Sequence, residues 1–147
     1  MSAAQKFIAQ DTPAFLLTDC APAEAYRPHL DAGTLWVVDG AEEPVAFLAA
    51  RVADRRLHID ELDVQDGQHG NGLGKRLLQH ALDHARARGL TRLSLTTFRS
   101  IPWNAPYYAR FGFREWDPAE APEDIRRALR KEAANGLSDR CAMVMDL

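Results

Sequence analysis

The chain has 147 residues, 46% of them apolar and 27% charged, with a formal net charge of −3. That length suits one domain over 1–147, and the apolar share excludes disorder as the main state. No uncharged apolar run reaches the ~20 residues that cross a bilayer, the N-terminus lacks a signal-peptide pattern, and the mild acidity argues against nucleic acid as a partner. The expectation is a cytoplasmic protein with no membrane partner. Cys20 and Cys141 form neither a metal spacing nor a disulfide framework, and both read as small buried residues.

The first 33 residues are the least regular. Phe7, Ile8 and the run Phe15-Leu16-Leu17 have no clean period, and Pro13, Pro22 and Pro28 interrupt any long helix. A short helix is predicted over Ala23–Ala32, ending at Gly33. Leu35 to Val38 reads as a strand closed by Asp39 and Gly40. Val45 to Val52 is a second strand, apolar on both faces, followed by a polar turn Asp54-Arg55-Arg56. Leu57 to Val64 is a third. Short turns join the three into an antiparallel meander.

Leu73, Leu77, Leu78, Ala81, Leu82 and Ala85 then mark one face of an amphipathic helix stopped by Gly89. His80 and His84 fall on its solvated face, and metal is not expected there. Thr91 to Phe98 is a strand, so strand, helix and strand make a right-handed parallel crossover. Asn104 caps a helix through Phe111 that Gly112 ends. Phe113 to Trp116 is a strand, Pro122 opens a helix that Gly136 closes, and Cys141 to Leu147 is the last strand. The arginines of that last helix, Arg126, Arg127 and Arg130, are neutralised by Glu123, Asp124 and Glu132, which argues again against nucleic acid. The fold class is α/β, with a mixed, mostly antiparallel sheet, one parallel crossover and flanking helices.

Two local features carry chemistry. In the third strand Leu57 and Ile59 are apolar at odd positions, whereas Leu62 and Val64 are apolar at even ones. A period of two cannot change phase without an extra residue, so a β-bulge is expected near Asp60 and Glu61. It would set His58, Asp60, Glu61 and Asp63 on or near the non-core face; an edge strand with solvated acids is the plainer alternative. Directly afterwards, Gly70, Gly72 and Gly74 lie between strand and helix. Such a loop lets backbone N–H groups approach a phosphate at the helix N-terminus. It lacks the spacing of a Walker loop and the third glycine of a dinucleotide fingerprint.

His69-Gly70-Asn71-Gly72-Leu73-Gly74 resembles the Arg/Gln-x-x-Gly-x-Gly/Ala signature of the GNAT superfamily of acetyl-CoA-dependent N-acyltransferases, with His69 where Arg or Gln is usual. Asn104-x-x-x-Tyr108-x-x-x-Gly112-Phe113 resembles that family's segment after the fifth strand. The resemblance is firm from about Thr34 to Trp116 and weak before Gly33, and the family's bulged strand falls where the phase change does. It implies the acyl-CoA N-acyltransferase fold, with acetyl-CoA as co-substrate and no metal. The pyrophosphate would lie on the N–H groups of His69, Gly70, Asn71, Gly72, Leu73, Gly74 and Lys75. The pantetheine would pair with backbone from Leu62 to Val64 and touch Asn104, and Tyr108 would protonate the departing thiolate. Tyr107 reads as packing.

Direct attack needs an uncharged amine, and a carboxylate can take its proton. Glu61 is the first candidate, Asp60 the second and His58 the third. Trp36 and Trp116 read as core or pocket wall, and Trp103 as lining an acceptor site. The acceptor would be an amine on a small molecule or peptide. A homodimer is common in the family, and a partner subunit could supply cover missing from the short N-terminal part. The competing expectation is a CoA-binding regulatory or antitoxin-like module with little catalysis.

Overall fold

A computed structural model describes residues 7–8, 26–40, 44–65 and 72–147. The strands are β1 (Phe7–Ile8), β2 (Leu35–Asp39), β3 (Pro44–Ala53), β4 (Arg56–Val64), β5 (Arg92–Phe98), β6 (Arg114–Trp116) and β7 (Arg140–Asp146). The helices are α1 (Arg27–Ala32), α2 (Leu73–Ala87), α3 (Ala105–Phe111) and α4 (Glu123–Ala134). They build one seven-stranded sheet in the order β1-β2-β3-β4-β5-β7-β6. Among the described residues its single parallel pair is β4 with β5, the two strands that α2 connects.

The apolar stripe of α2 packs on one sheet face, burying Leu77, Leu78 and Ala81 against Leu48, Leu57, Ile59, Leu93 and Leu95. The opposite face carries two smaller clusters. Under α1, Tyr26 covers Leu35, Val37 and Phe47, and in α4 Ile125 covers Trp116, Ala142 and Val144. Side-chain alternation in β3 explains the split: Leu48 points to α2 while Phe47 and Ala49 point to α1.

The bulge lies where the phase change predicts it. Ile59 pairs with Ala50 and Glu61 with Ala49, which leaves Asp60 as the extra residue. The parity switch is thereby accounted for, since Leu57 and Ile59 before the bulge and Leu62 and Val64 after it all pack on the α2 side.

Several expectations are corrected. Arg56 belongs to β4 rather than to the preceding turn, and it is buried; the turn is made by Asp54, in a left-handed conformation at φ 56°, and Arg55. His58 is likewise buried, because the second sheet face is covered by α1 and α4 and is not open to solvent. His80 and His84 are half-buried and lie edge-on to the Trp36 ring at 5.4 and 4.9 Å, so the face they share with solvent also roofs a core residue. Asn104 stands at the N-cap of α3, but its side chain makes no capping hydrogen bond. Phe7 and Ile8, which show no period, pair with Val38 and Val37 as an outer strand. Ala23–Ala25, Phe15 to Leu17 and Cys20 lie outside the described residues, while Cys141 is buried as expected.

Candidate active site

β4 and β5 are paired only at their first residues, Arg56 to His58 with Arg92 to Ser94. Beyond Ser94, β5 continues against β7, while β4 continues against β3. The two strands therefore diverge, and the second half of β4 borders an opening in the middle of the sheet. Backbone direction along that border follows from the β3 ladder. The Gln65 N–H donates to the Val45 carbonyl at 2.8 Å, and groups on an antiparallel strand alternate between its two sides. Gln65, Asp63 and Glu61 thus turn their backbone groups to β3, and Leu62 and Val64 turn theirs to the opening.

At one end of the opening the start of α2 meets α3. Gly72 occupies the N-cap at φ 75°, a left-handed conformation that a side chain would strain. A Cβ on Gly74 would come within 2.8 Å of the Tyr107 hydroxyl oxygen and 3.9 Å of Leu62 Cδ2. Glycine is what lets β4, α2 and α3 converge there. Lys75, Tyr107, Arg110 and Phe111 line a cavity of about 250 Å³ at this corner. Tyr108, one residue along α3, is buried edge-on to Phe113 at 5.8 Å. Burial raises its hydroxyl above the usual tyrosine value, with the neighbouring Tyr107 adding to the effect.

The bulge sets two carboxylates side by side in different surroundings. Asp60 accepts hydrogen bonds from His29 Nε2 at 2.8 Å and Arg51 Nε at 3.1 Å. Burial alone would raise its pKa, but these partners and His58 outweigh it and hold the carboxyl below the ordinary value. Glu61 accepts one bond, from the Tyr26 hydroxyl at 2.7 Å. Burial, assisted by the like charges of Asp63 and Asp60, outweighs that bond and raises Glu61.

His58 has a different task. Arg56 Nη1 donates to Ser94 Oγ at 2.8 Å, and the same oxygen is hydrogen-bonded to His58 Nδ1, also at 2.8 Å. The ring's Nε2 lies 3.9 Å from Asp60 Oδ1. Burial pushes its pKa down to about 4. Buried and bound to Ser94, His58 stays behind Glu61 and Asp60 as a candidate base.

A sequence profile described as the acetyltransferase (GNAT) family matches residues 4–113, three-quarters of the chain. The chain belongs to this family. The match reaches well before Gly33, where motifs alone carry little. Streptothricin acetyltransferase of Streptomyces lavendulae is 37% identical over 84 residues, 53% of this chain and 43% of that protein. The GNAT chain thus spans less than half of that relative's length.

Among solved structures, N-acetylglutamate synthase of Neisseria gonorrhoeae, complexed with coenzyme A and N-acetyl-glutamate, superimposes with a TM-score of 0.70. The identity is 24%, over 84% of this chain and 27% of that one. IAA acetyltransferase of Bacillus cereus gives a TM-score of 0.68 at 19% identity, over 97% of this chain and all of that one. These two likenesses speak for the GNAT fold.

Most of the residues singled out in sequence gather around the opening. Glu61, Leu62 and Val64 lie on β4, Gly72, Leu73, Gly74 and Lys75 at the start of α2, and Tyr108 in α3. The Leu73 side chain is buried in the core, so only its backbone can meet a ligand. His69, Gly70 and Asn71 lie outside the described residues. Trp103 is 71% exposed, and neither of the other tryptophans is: Trp36 and Trp116 are core.

Sequence reasoning missed Tyr26 and His29, which grip the two acids, as well as Arg110 and Phe111. The first pair carries a signal after all. A spacing of three places Tyr26 and His29 on one side of a short helix.

Proposed function

We propose that this GNAT chain moves an acetyl group from acetyl-CoA to a primary amine of a small molecule or peptide, by direct attack in a ternary complex. The divergence of β4 from β5, with Leu62 and Val64 turned into the gap, carries the reading. It leaves unpaired strand backbone facing an opening that ends at a helix N-terminus, a combination suited to an amide-bearing arm with a phosphate at its end. The coenzyme A complex of the Neisseria gonorrhoeae structure and the acetyltransferase named in Streptomyces lavendulae agree with it.

Backbone N–H groups from Gly70 to Lys75 receive the pyrophosphate, with Lys75 and Arg110 adding positive charge beside it. Leu62 and Val64 hold the pantetheine arm, and Asn104 reaches it from α3. Acetyl-CoA supplies the activated thioester. A backbone N–H at the opening polarises the carbonyl as an oxyanion donor does. A free alkylamine has a pKa of ~10.4 and is mostly protonated at neutral pH. Glu61, directly or through a water, takes that proton. The nitrogen then attacks the carbonyl carbon, the carbon–sulfur bond breaks, and Tyr108 gives its proton to the leaving sulfur.

Glu61 suits the base better than Asp60. A raised carboxyl holds a proton more readily, while Asp60 is committed to His29 and Arg51. The acids of this strand favour a cationic amine as acceptor.

Thiol release from acetyl-CoA across a panel of amines tests the reading, beside the melting temperature with and without CoA. Turnover with at least one amine is the expected result. A CoA-dependent rise in melting temperature with no turnover would make the chain a CoA-binding module, and no response to CoA would overturn both readings.

A further inference from the structure

Tyr26 begins α1, far from Glu61 in sequence, yet its hydroxyl donates to Glu61 Oε1 at 2.7 Å. The Tyr26 ring is 3% exposed and meets Phe47 edge-on at 5.5 Å, so the donor is held rigidly. Phenylalanine would reproduce that ring contact, which makes the hydroxyl the part of Tyr26 that answers to Glu61. One turn along, His29 donates to Asp60. The helix therefore grips both members of the bulge, each through one carboxylate oxygen. Glu61 Oε2 makes no hydrogen bond among the described residues.

We propose that Tyr26 is a positioning residue for acyl transfer: its hydroxyl fixes Oε1 of Glu61 and leaves Oε2 to meet the acceptor amine. The inference rests on the reading of Glu61 as the base. A glutamate has three rotatable bonds, and a base must sit within hydrogen-bond reach of the proton it removes. Anchoring one oxygen restricts the side chain to arrangements in which the other is presented. The groups that face Glu61 are Tyr26 and His29 from α1, with Asp60 and Asp63 on its own strand. Arg51 of β3 binds Asp60 instead. Tyr26 is the one of these that hydrogen-bonds the Glu61 carboxylate.

The test titrates the Glu61 carboxyl carbon by NMR in the full chain labelled at glutamate, its signal assigned by its loss in Glu61→Gln. Removing a donor from a carboxylate disfavours its charged form. In Tyr26→Phe the midpoint should rise by about one pH unit, tenfold in the protonation equilibrium. With 3-fluorotyrosine at position 26, a slightly stronger donor on the same ring, it should fall. A midpoint that moves in neither protein overturns the proposal. In turnover, Tyr26→Phe should shift the acid limb of the rate profile upward and lower kcat, with KM for acetyl-CoA unchanged. Full activity in Glu61→Gln would instead sink the base reading. Loss of activity in Glu61→Gln, with a wild-type profile in Tyr26→Phe, would sink the role of Tyr26 alone.

Discussion

Arg56 and Asp124 form a two-oxygen ion pair, with Nη2 of the arginine 2.9 Å from Oδ1 and 2.7 Å from Oδ2 of the carboxylate. It fastens the first residue of β4 to the first turn of α4. The same guanidinium donates to Ser94 and lies 5.7 Å from the centre of the Trp116 ring. Through Ser94 it is linked to His58, on the side of β4 that leads to the bulge. The cationic head is almost fully buried, and the pair, the serine and the indole are what make that burial tolerable.

Asp124→Ala should therefore destabilise the fold by about 2 kcal/mol, less than the ~3–5 kcal/mol for breaking a fully buried pair, because the carboxylate itself is partly exposed. Urea denaturation monitored by tryptophan fluorescence measures it. The pH dependence has a definite sign. Burial raises the Asp124 carboxyl, but the Arg56 bonds and charge outweigh this and hold it below the ordinary value. Its contribution is present above the unfolded carboxylate pKa and is lost as pH falls through the depressed folded one. The wild-type and Asp124→Ala stabilities should converge in acid, and a constant gap down to pH 2 would contradict the assignment.

Gly74→Ala should weaken CoA binding about tenfold without unfolding the chain. The new Cβ would stand 2.8 Å from the Tyr107 hydroxyl and force that ring toward Arg110 and Phe111, into the cavity they share. Alanine favours a helix over glycine by up to ~1 kcal/mol, which offsets part of the strain. Calorimetric titration with CoA separates the two effects. An unchanged Kd would remove the α2–α3 corner from the CoA site.

Asp63→Asn should move the acid limb of the rate profile to lower pH. Burial is the main cause that raises Glu61, and the negative charge of Asp63 adds to it. Wild-type kcat/KM should fall on acidification with a midpoint above the ordinary glutamate value. Neutralising residue 63 removes one repulsion, so the base stays ionised to lower pH. A limb that stays put or moves upward would mean that Glu61 does not set it.

How much of this could be read beforehand depended on the range of the interaction. The bulge was legible because parity is a strictly local property: two apolar residues on each side of Asp60 report it. The crossover was legible for the same reason, since the stripe of α2 lies within one continuous segment. Arg56 was not. A run of Asp54, Arg55 and Arg56 reads as a polar turn, and only Asp124 and Ser94, distant in sequence, make burial of the arginine possible. His58 was misplaced by the assumption that a polar residue off the main core faces water. Its cover comes from α1 and α4, which close the second sheet face. The two electrostatic characters of Asp60 and Glu61 depend on α1, whose side chains reach β4 across more than 30 residues of chain. No pattern within β4 distinguishes the two acids.

Tyr108→Phe should lower kcat by about 10²-fold, the low end of the range for losing a general acid, and leave KM for acetyl-CoA nearly unchanged. The ring would keep its edge contacts with Tyr107 and Phe113, so the melting temperature should hold. Burial raises the hydroxyl above its usual value, which keeps it protonated through the working range and ready to give its proton to a thiolate. The wild-type profile should accordingly show no loss from Tyr108 ionisation up to the ordinary tyrosine pKa of ~10. Tyr107→Phe is the matched control. It removes the hydroxyl beside Gly74 and should raise the Kd for CoA while sparing kcat. Steady-state rates of thiol release for the two variants decide between the tyrosines, and a loss of kcat in Tyr107→Phe with none in Tyr108→Phe would exchange their roles.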